Sequence, residues 1–314
     1  MTTPTIYRSD DSSAPTISGT AGSLKAALKA ILVDGYGSKS AAGWSEAYTG
    51  TNKSAFRQGG TDYYLRLDDS AAQMGRVVGY RTMSDVDTGT EPFPTAAQFS
   101  GGLYIRKSTT ANSTARPWVC LASAKTFYLF ILSSSASFAA YADTDGDVQM
   151  GFGKFRSVTA SDANDGFLTA STDTSTSATG ASTARQCVSS YNVATTNYLL
   201  GSYDQTTGAI QAFKKGCGAY LQNTYSGDSL TVRFPEHNRG SLVISRVGFM
   251  QTGTSVYRGY LPGLRGCAQP YHTAAFQQSR MSTLRGYGSA SAASLFSVNV
   301  GTSQIFFDLT EDWD

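Results

Sequence analysis

The sequence predicts an all-β protein, built mainly from antiparallel β-sandwich-like units, with one short amphipathic N-terminal helix near residues 24–33. Two observations predict this class. Short segments rich in β-branched and aromatic residues recur along the chain, and Gly, Ser, Asn and Asp separate them. No alternation of strands with helices is visible, which disfavours a parallel nucleotide-binding sheet.

The helix prediction rests on one apolar face. Leu24, Leu28, Ile31 and Leu32 follow the i, i+4, i+7, i+8 spacing of an amphipathic helix. We expect the Ser23 side chain to cap its start and Gly35 to adopt a left-handed conformation just past its end.

The predicted strands come next. They lie at residues 63–67, 76–83, 103–106, 118–121, 127–132, 197–200, 209–213, 230–234, 242–249, 256–260, 295–300 and 304–309. Residues 169–183 are almost wholly small and polar, a composition that buries too little surface to order itself. We therefore predict a β-rich domain at 1–156, a Ser/Thr-rich loop or linker at 157–190, and a second β-rich domain at 191–314.

Composition excludes several classes of protein. Only 15% of the 314 residues are charged and the net charge is +2, so no basic field favours nucleic acid. The longest apolar run, residues 127–132, is far shorter than the roughly 20 residues of a membrane helix. The first residues lack the features of a secretory signal, so we expect no membrane partner and synthesis in a cytoplasm.

Metal and cofactor chemistry is not indicated. The two histidines, His237 and His272, offer little for metal binding or acid–base work. The four cysteines, which contain no CxxC pair, are scattered along the chain: Cys120, Cys187, Cys217 and Cys267. We expect them to be reduced, structural thiols. We predict no cofactor and no metal.

Two short motifs could suggest ligand binding. Residues 143–147 have Asp at alternate positions, as a calcium loop does. A calcium loop needs glycine at its sixth position, whereas Gly146 stands at the fourth, so a hairpin turn is favoured. The Gly-Phe-Gly-Lys segment at 151–154 lacks the spacing of a phosphate loop, and we interpret its glycines as close packing at a strand end.

Three pairs of carboxylates could serve sugar hydrolysis. Asp68 and Asp69 are adjacent and would point to opposite faces of a strand, which favours a turn. Asp85 and Asp87 stand in a segment of loop composition. The third pair, Glu311 and Asp312, lies near the C-terminal end. We predict no catalytic residues.

A cluster of aromatic residues could form a sugar platform or a protein contact surface, or simply half-buried strand faces. Its members are Tyr63, Tyr64, Tyr80, Tyr104, Trp118, Phe127 and Tyr128. The arginines interleaved with them, which acidic neighbours balance, are Arg57, Arg66, Arg76, Arg81 and Arg106.

Several segments together resemble a family of virion structural proteins from tailed bacteriophages. They occur in one order: residues 6–24, Gly-Trp-Ser-Glu-Ala-Tyr-Thr-Gly-Thr-Asn at 43–52, Tyr-Leu-Arg-Leu-Asp-Asp at 64–69, 79–90 and 92–98. Arg-Gly-Tyr-Leu-Pro-Gly-Leu at 258–264 is similar to another recurring segment of the family, and Trp313 stands where such chains often end. The Ser/Thr-rich stretch matches nothing in the family.

The resemblance implies a place in the virion and no catalytic residues. We expect a non-enzymatic, multi-copy tail, neck or baseplate protein that is assembled in the host cytoplasm as a homo-oligomer among other virion proteins. The segment before the helix (residues 1–20) is expected to be an arm or strand that contacts another subunit, and Pro262 and Gly263 are expected to fix a turn. The alternatives are a receptor-binding tail protein that recognises host-surface glycan and a glycan-degrading tail enzyme.

Overall fold

The structure is a computed structural model, and it describes residues 2–60, 63–138, 147–172, 174, 188, 198–203, 210–217, 244–251, 256–267, 282–284, 295–300 and 303–314. The elements of the first half are β1 (Thr5–Arg8), α1 (Ser23–Lys29) with a π-helical continuation (Ala30–Asp34), β2 (Ser45–Gly50), β3 (Lys53–Arg57), β4 (Tyr64–Asp68), β5 (Met74–Tyr80), β6 (Thr82–Asp85), β7 (Thr88–Thr90), β8 (Leu103–Arg106), β9 (Trp118–Ala122), β10 (Thr126–Leu132) and β11 (Asp147–Lys154). The later strands are β12 (Arg156–Ser157), β13 (Gly166–Ser171), β14 (Tyr198–Tyr203), β15 (Ile210–Cys217), β16 (Ile244–Gln251), β17 (Tyr257–Cys267), β18 (Ser282–Leu284), β19 (Leu295–Val300) and β20 (Ser303–Asp308).

The strands form a large, curled antiparallel sheet, which confirms the predicted all-β class with one short helix. One run of neighbouring strands is β2–β3–β4–β5–β8, and a second is β1–β9–β10–β11–β13–β14–β15–β16–β17–β20–β19–β18. A single residue pair, Ser171 with Tyr104, joins β13 to β8. Strands β6 and β7 form a separate hairpin, and β12 pairs with β17.

The hairpin of β9 and β10 lies between two cores, because both of its faces are buried. Trp118, Cys120, Phe127 and Leu129 face a core that also contains α1 and the inward residues of β3, β4 and β5. The alternate residues face a second core with β17, β20 and Trp313; they are Val119, Leu121, Tyr128, Phe130 and Leu132. Because successive side chains of a strand point to opposite faces, this one hairpin contributes residues to a core on each side. The division into two β-rich domains with a loop or linker at 157–190 stays a prediction.

The helix begins as predicted, but its N-terminal cap differs from the expectation. The Ser23 hydroxyl donates to the Ser18 and Thr20 carbonyls and makes no capping bond to the helix. The cap comes instead from Asp69, whose Oδ2 accepts the backbone N–H groups of Leu24 (2.7 Å) and Lys25 (3.1 Å). Gly35 has a positive φ of 78°, as expected, but a ψ of 170° extends the chain instead of forming a left-handed turn.

The predicted turn at Pro262 and Gly263 is wrong, because β17 runs through both residues. Tyr260 pairs with Gly248 and Arg265 with Arg246, so four residues of β17 bulge opposite Val247. Proline is tolerated in a bulge because no ladder hydrogen bond needs its missing N–H. Gly263 supplies the φ of +68° that the bulge requires.

The N-terminal segment is not a free arm over residues 5–8. These residues form β1, which pairs with β9 of the same chain, and Tyr7 is fully buried. Residues 143–146, 230–234, His237, His272 and Cys187, together with most of 169–183, lie outside the described residues. The Gly-Phe-Gly-Lys segment lies in β11, where Gly151 packs against the Tyr128 ring, so close packing at a strand end is confirmed.

Candidate functional site

The carboxylates that the sequence singled out do not converge on one site. Asp68 and Asp69 point to opposite sides of the sheet, as expected: Asp68 lies at the surface near Lys53 and Arg66, whereas Asp69 is fully buried. Asp85 is exposed and accepts the Val86 N–H (2.7 Å) within the β6–β7 hairpin. Each of these groups supports local structure.

Asp87 holds the β6–β7 hairpin against the main sheet. Its Oδ2 lies 2.8 Å from Lys53 Nζ, and its Oδ1 accepts Arg66 Nε at 2.8 Å. The hydrogen bond from Lys53 and those from Arg66 lower the pKa of this carboxyl group. A carboxylate bound by two cations is a poor general acid, because both cations favour its ionised form.

Glu311 and Asp312 also have structural partners. Glu311 Oε2 lies 3.0 Å from Arg265 Nη2 and accepts the Gly263 N–H at 2.9 Å, which fixes the bulge of β17. Asp312 Oδ1 accepts the Thr2 N–H (2.9 Å), so residues near the two ends of the described chain are joined.

A buried ion pair that sequence reasoning missed lies between Arg258 and Asp162. Both side chains are nearly inaccessible, at 0% and 3% exposed, and Arg258 Nη2 lies 3.1 Å from Asp162 Oδ2. Burial raises the pKa of Asp162, but hydrogen bonds from Ser157, the Asn164 backbone and Arg258 outweigh it and hold the pKa below its ordinary value. The two residues are 96 positions apart, so no local pattern could have revealed the pair.

The structure divides the aromatic cluster into two groups. Tyr63, Trp118, Phe127 and Tyr128 are at most 4% exposed and belong to the two cores. Tyr64, Tyr80 and Tyr104 are only partly buried, and they lie on the side of β4, β5 and β8 that faces away from the helix. Only the second group can contact another molecule.

These tyrosines belong to a larger surface, which we name the outer face. It consists of Tyr48, Tyr64, Tyr80, Tyr104, Arg57, Arg66 and Arg76 on β2 to β5 and β8. The Arg57 guanidinium lies 5.5 Å from the Tyr64 ring centre and that of Arg76 lies 5.1 Å from the Tyr104 ring centre. Tyr48 and Tyr64 are stacked with centroids 6.5 Å apart. Cation–π and stacking contacts of this kind fix the orientation of large, flat side chains.

The β6–β7 hairpin covers the middle of the outer face. Tyr48 Oη donates to the Met83 carbonyl at 3.0 Å, Gly89 packs against the Tyr80 ring, and Asp87 binds Arg66. Tyr64 and Tyr104 remain partly accessible. The outer face therefore offers two tyrosine–arginine pairs to an external partner.

A second surface is apolar, and we name it the edge patch. It consists of Val158, Val256 and Tyr257, which are 58%, 45% and 47% exposed. The Val158 N–H donates to the Arg258 carbonyl (3.0 Å), so the three residues are neighbours beside β12 and β17. Within the described residues, β12 pairs with β17 alone. Exposed apolar groups beside an edge strand can bury surface against another protein.

Neither surface has an obvious inorganic ligand. Over the described part of the chain, no three His, Cys, Asp or Glu side chains are grouped to hold a metal ion. Over the same residues, no helix is long and apolar enough to cross a membrane. The arrangement can bind other molecules through tyrosine rings, guanidinium groups and exposed aliphatic side chains.

Comparison with models of known protein families gives no match for this chain, and comparison with curated proteins gives no significant match either.

Proposed function

We propose that this chain is a non-enzymatic structural component of a tailed bacteriophage virion, a multi-copy tail, neck or baseplate protein that acts through contacts between subunits. The ordered segments described above resemble that family. The observation that carries the proposal is the edge patch, because it exposes large apolar side chains beside an edge strand.

The occupant of the edge patch in this proposal is a second copy of the chain. Within the described residues β12 has one strand neighbour, β17, and two antiparallel copies of an edge strand can pair around a twofold axis. Val158, Val256 and Tyr257 would then bury apolar surface at the centre of the contact, where charged residues are depleted in protein interfaces. Many copies in a symmetric particle would add modest contacts together.

Replacement of edge-patch residues tests this function. Tyr257→Asp and Val158→Asp place a charge in the contact, so we expect weaker self-association in analytical ultracentrifugation and poor incorporation into particles when each variant is the sole source of the protein. Ser84→Asp adds the same charge on the exposed β6–β7 hairpin and is the matched control. Wild-type-like assembly of both edge-patch variants would contradict the proposal.

A second candidate function, recognition of host-surface glycan, is favoured by the outer face. Tyr64 and Tyr104 present partly exposed rings beside guanidinium groups, and aromatic rings stack on the apolar faces of sugars. A glycan array probed with the wild type and with Tyr104→Ala tests it. Specific binding that the substitution abolishes would favour this candidate over a purely structural role.

A further inference from the structure

The most isolated pair of reactive side chains in the described structure is Asp69 and Lys107. Asp69 directly follows β4 and Lys107 directly follows β8, and both side chains are 0% exposed. Lys107 Nζ contacts Asp69 Oδ1. An ammonium and a carboxylate that are both removed from water lose most of their hydration, which makes the charged pair costly.

The backbones around the pair hold the two side chains in place. The Asp69 N–H donates to the Asn52 carbonyl (2.8 Å), and its carbonyl accepts the Gly22 N–H (2.9 Å). The Lys107 N–H donates to the Gln73 carbonyl (2.8 Å). Fixing both reactants in contact removes most of the entropic barrier to a reaction between them.

Burial favours the neutral forms of both groups. It raises the pKa of Asp69 and lowers the pKa of Lys107, and in each case their mutual attraction opposes the effect. Transfer of one proton from Nζ to the carboxylate gives an uncharged amine beside a carboxylic acid. That amine has a free electron pair and is a nucleophile.

The remaining contacts match the geometry of an amide. Asp69 Oδ2 accepts two backbone N–H groups, from Leu24 at 2.7 Å and Lys25 at 3.1 Å. Nζ donates to the Thr20 carbonyl at 2.6 Å. An ammonium has three N–H donors; in the described structure Nζ meets two acceptors, Asp69 Oδ1 and Thr20 O. A secondary amide has one N–H and one carbonyl oxygen, which these partners satisfy.

We propose that Asp69 and Lys107 condense to an intramolecular isopeptide bond. The Nζ electron pair attacks Asp69 Cγ, and the negative charge that develops on Oδ2 is stabilised by the Leu24 and Lys25 N–H groups. The bond from Cγ to Oδ1 then breaks. Of the three hydrogens of the original ammonium, one stays on the amide nitrogen and two leave with Oδ1 as water. The reaction needs no oxidant, reductant or cofactor.

The bond would fasten two strands of the core that contains α1. It would join the end of β4 to the end of β8, 38 residues apart, directly beneath the start of α1. A covalent link of this kind restricts the unfolded chain as a disulfide does, but reducing agents do not cleave it. Such a link resists mechanical and thermal unfolding in either of the candidate functions, and the inference does not depend on them.

Mass spectrometry of the purified full-length chain under denaturing conditions tests the proposal. We expect a mass lower than that of the sequence by one water molecule. After tryptic digestion we expect a branched peptide that joins residues 67–76 to residues 107–125, because trypsin does not cut after an acylated Lys107 or between Arg116 and Pro117. The full sequence mass, with separate peptides, would overturn the proposal.

Two variants and one alternative product sharpen the result. Lys107→Arg keeps the cation but forms no such amide, so we expect the full mass of its sequence and a lower melting temperature. Lys53→Arg alters an exposed ion pair and should keep the loss of water. Dehydration can also produce a succinimide at an Asp–Gly bond, and the sequence has three of these: Asp34–Gly35, Asp145–Gly146 and Asp165–Gly166. A loss of water that maps to any of these sites, and not to Asp69 and Lys107, would also refute the isopeptide bond, even if Lys107→Arg fails to fold.

Discussion

Replacement of Trp313 by alanine should destabilise the whole protein. Trp313 is 1% exposed, and its ring lies 5.5 Å from that of Tyr128 and 6.0 Å from that of Phe307, between centroids. Its Nε1 donates to the Asp308 carbonyl at 3.0 Å. Tyr128 belongs to the central β10 strand, so the indole connects the C-terminal segment to the second core.

The magnitude follows from the buried ring. Truncation of a fully buried Trp or Phe to Ala costs about 3–5 kcal/mol, because it removes apolar contact and leaves a cavity. The two ring contacts and the lost hydrogen bond to the Asp308 carbonyl place Trp313 in the upper part of that range. We therefore expect the free energy of unfolding to fall by about 4–5 kcal/mol.

Equilibrium unfolding in urea, followed by far-ultraviolet circular dichroism, measures the change. Trp44 and Trp118 remain as buried fluorescent reporters in the variant. Val158→Ala is the control, because that side chain is 58% exposed and its truncation should change stability by less than about 0.5 kcal/mol. A loss below about 1 kcal/mol for Trp313→Ala would refute the claim that the C-terminal segment completes the second core.

Three further predictions concern single residues. The pKa of Asp87, measured by NMR, should lie below the usual 3.8 because of its hydrogen bonds with Lys53 and Arg66. The stabilising contribution of this carboxylate is therefore present above its unfolded pKa and is lost as pH falls through its folded pKa. Lys53→Met should move the folded pKa upward, and an unchanged value would contradict the assignment. Cys120 is fully buried, and burial raises the pKa of its thiol. Iodoacetamide should therefore label this thiol only after denaturant is added. Rapid labelling of Cys120 in the native protein would show that β9 is accessible. Gly79→Ala should lower the free energy of unfolding by about 1–3 kcal/mol, because the new Cβ would overlap the Phe93 ring. Gly50→Ala should be close to neutral in the same urea titration, because its Cβ would lie 3.6 Å from its nearest neighbour.

The sequence by itself determined the local elements. Four apolar residues at helical spacing predicted α1, and the apolar run at 127–132 predicted β10. Both predictions succeed because periodicity reflects how neighbouring side chains are placed along one element. The same local reasoning found Tyr64, Tyr80 and Tyr104 of the outer face, but it missed Tyr48. It also grouped these three with core residues, which are Tyr63, Trp118, Phe127 and Tyr128.

Only the tertiary structure decided which residues act together. The cap of α1 comes from Asp69, 45 residues away, and the turn expected at Pro262 and Gly263 became a bulge because β16 and β20 pair with the flanking parts of β17. The edge patch and the contact of Asp69 with Lys107 likewise join residues that no sequence spacing relates. Periodicity describes a single strand or helix, whereas these contacts depend on the register and curvature of the whole sheet.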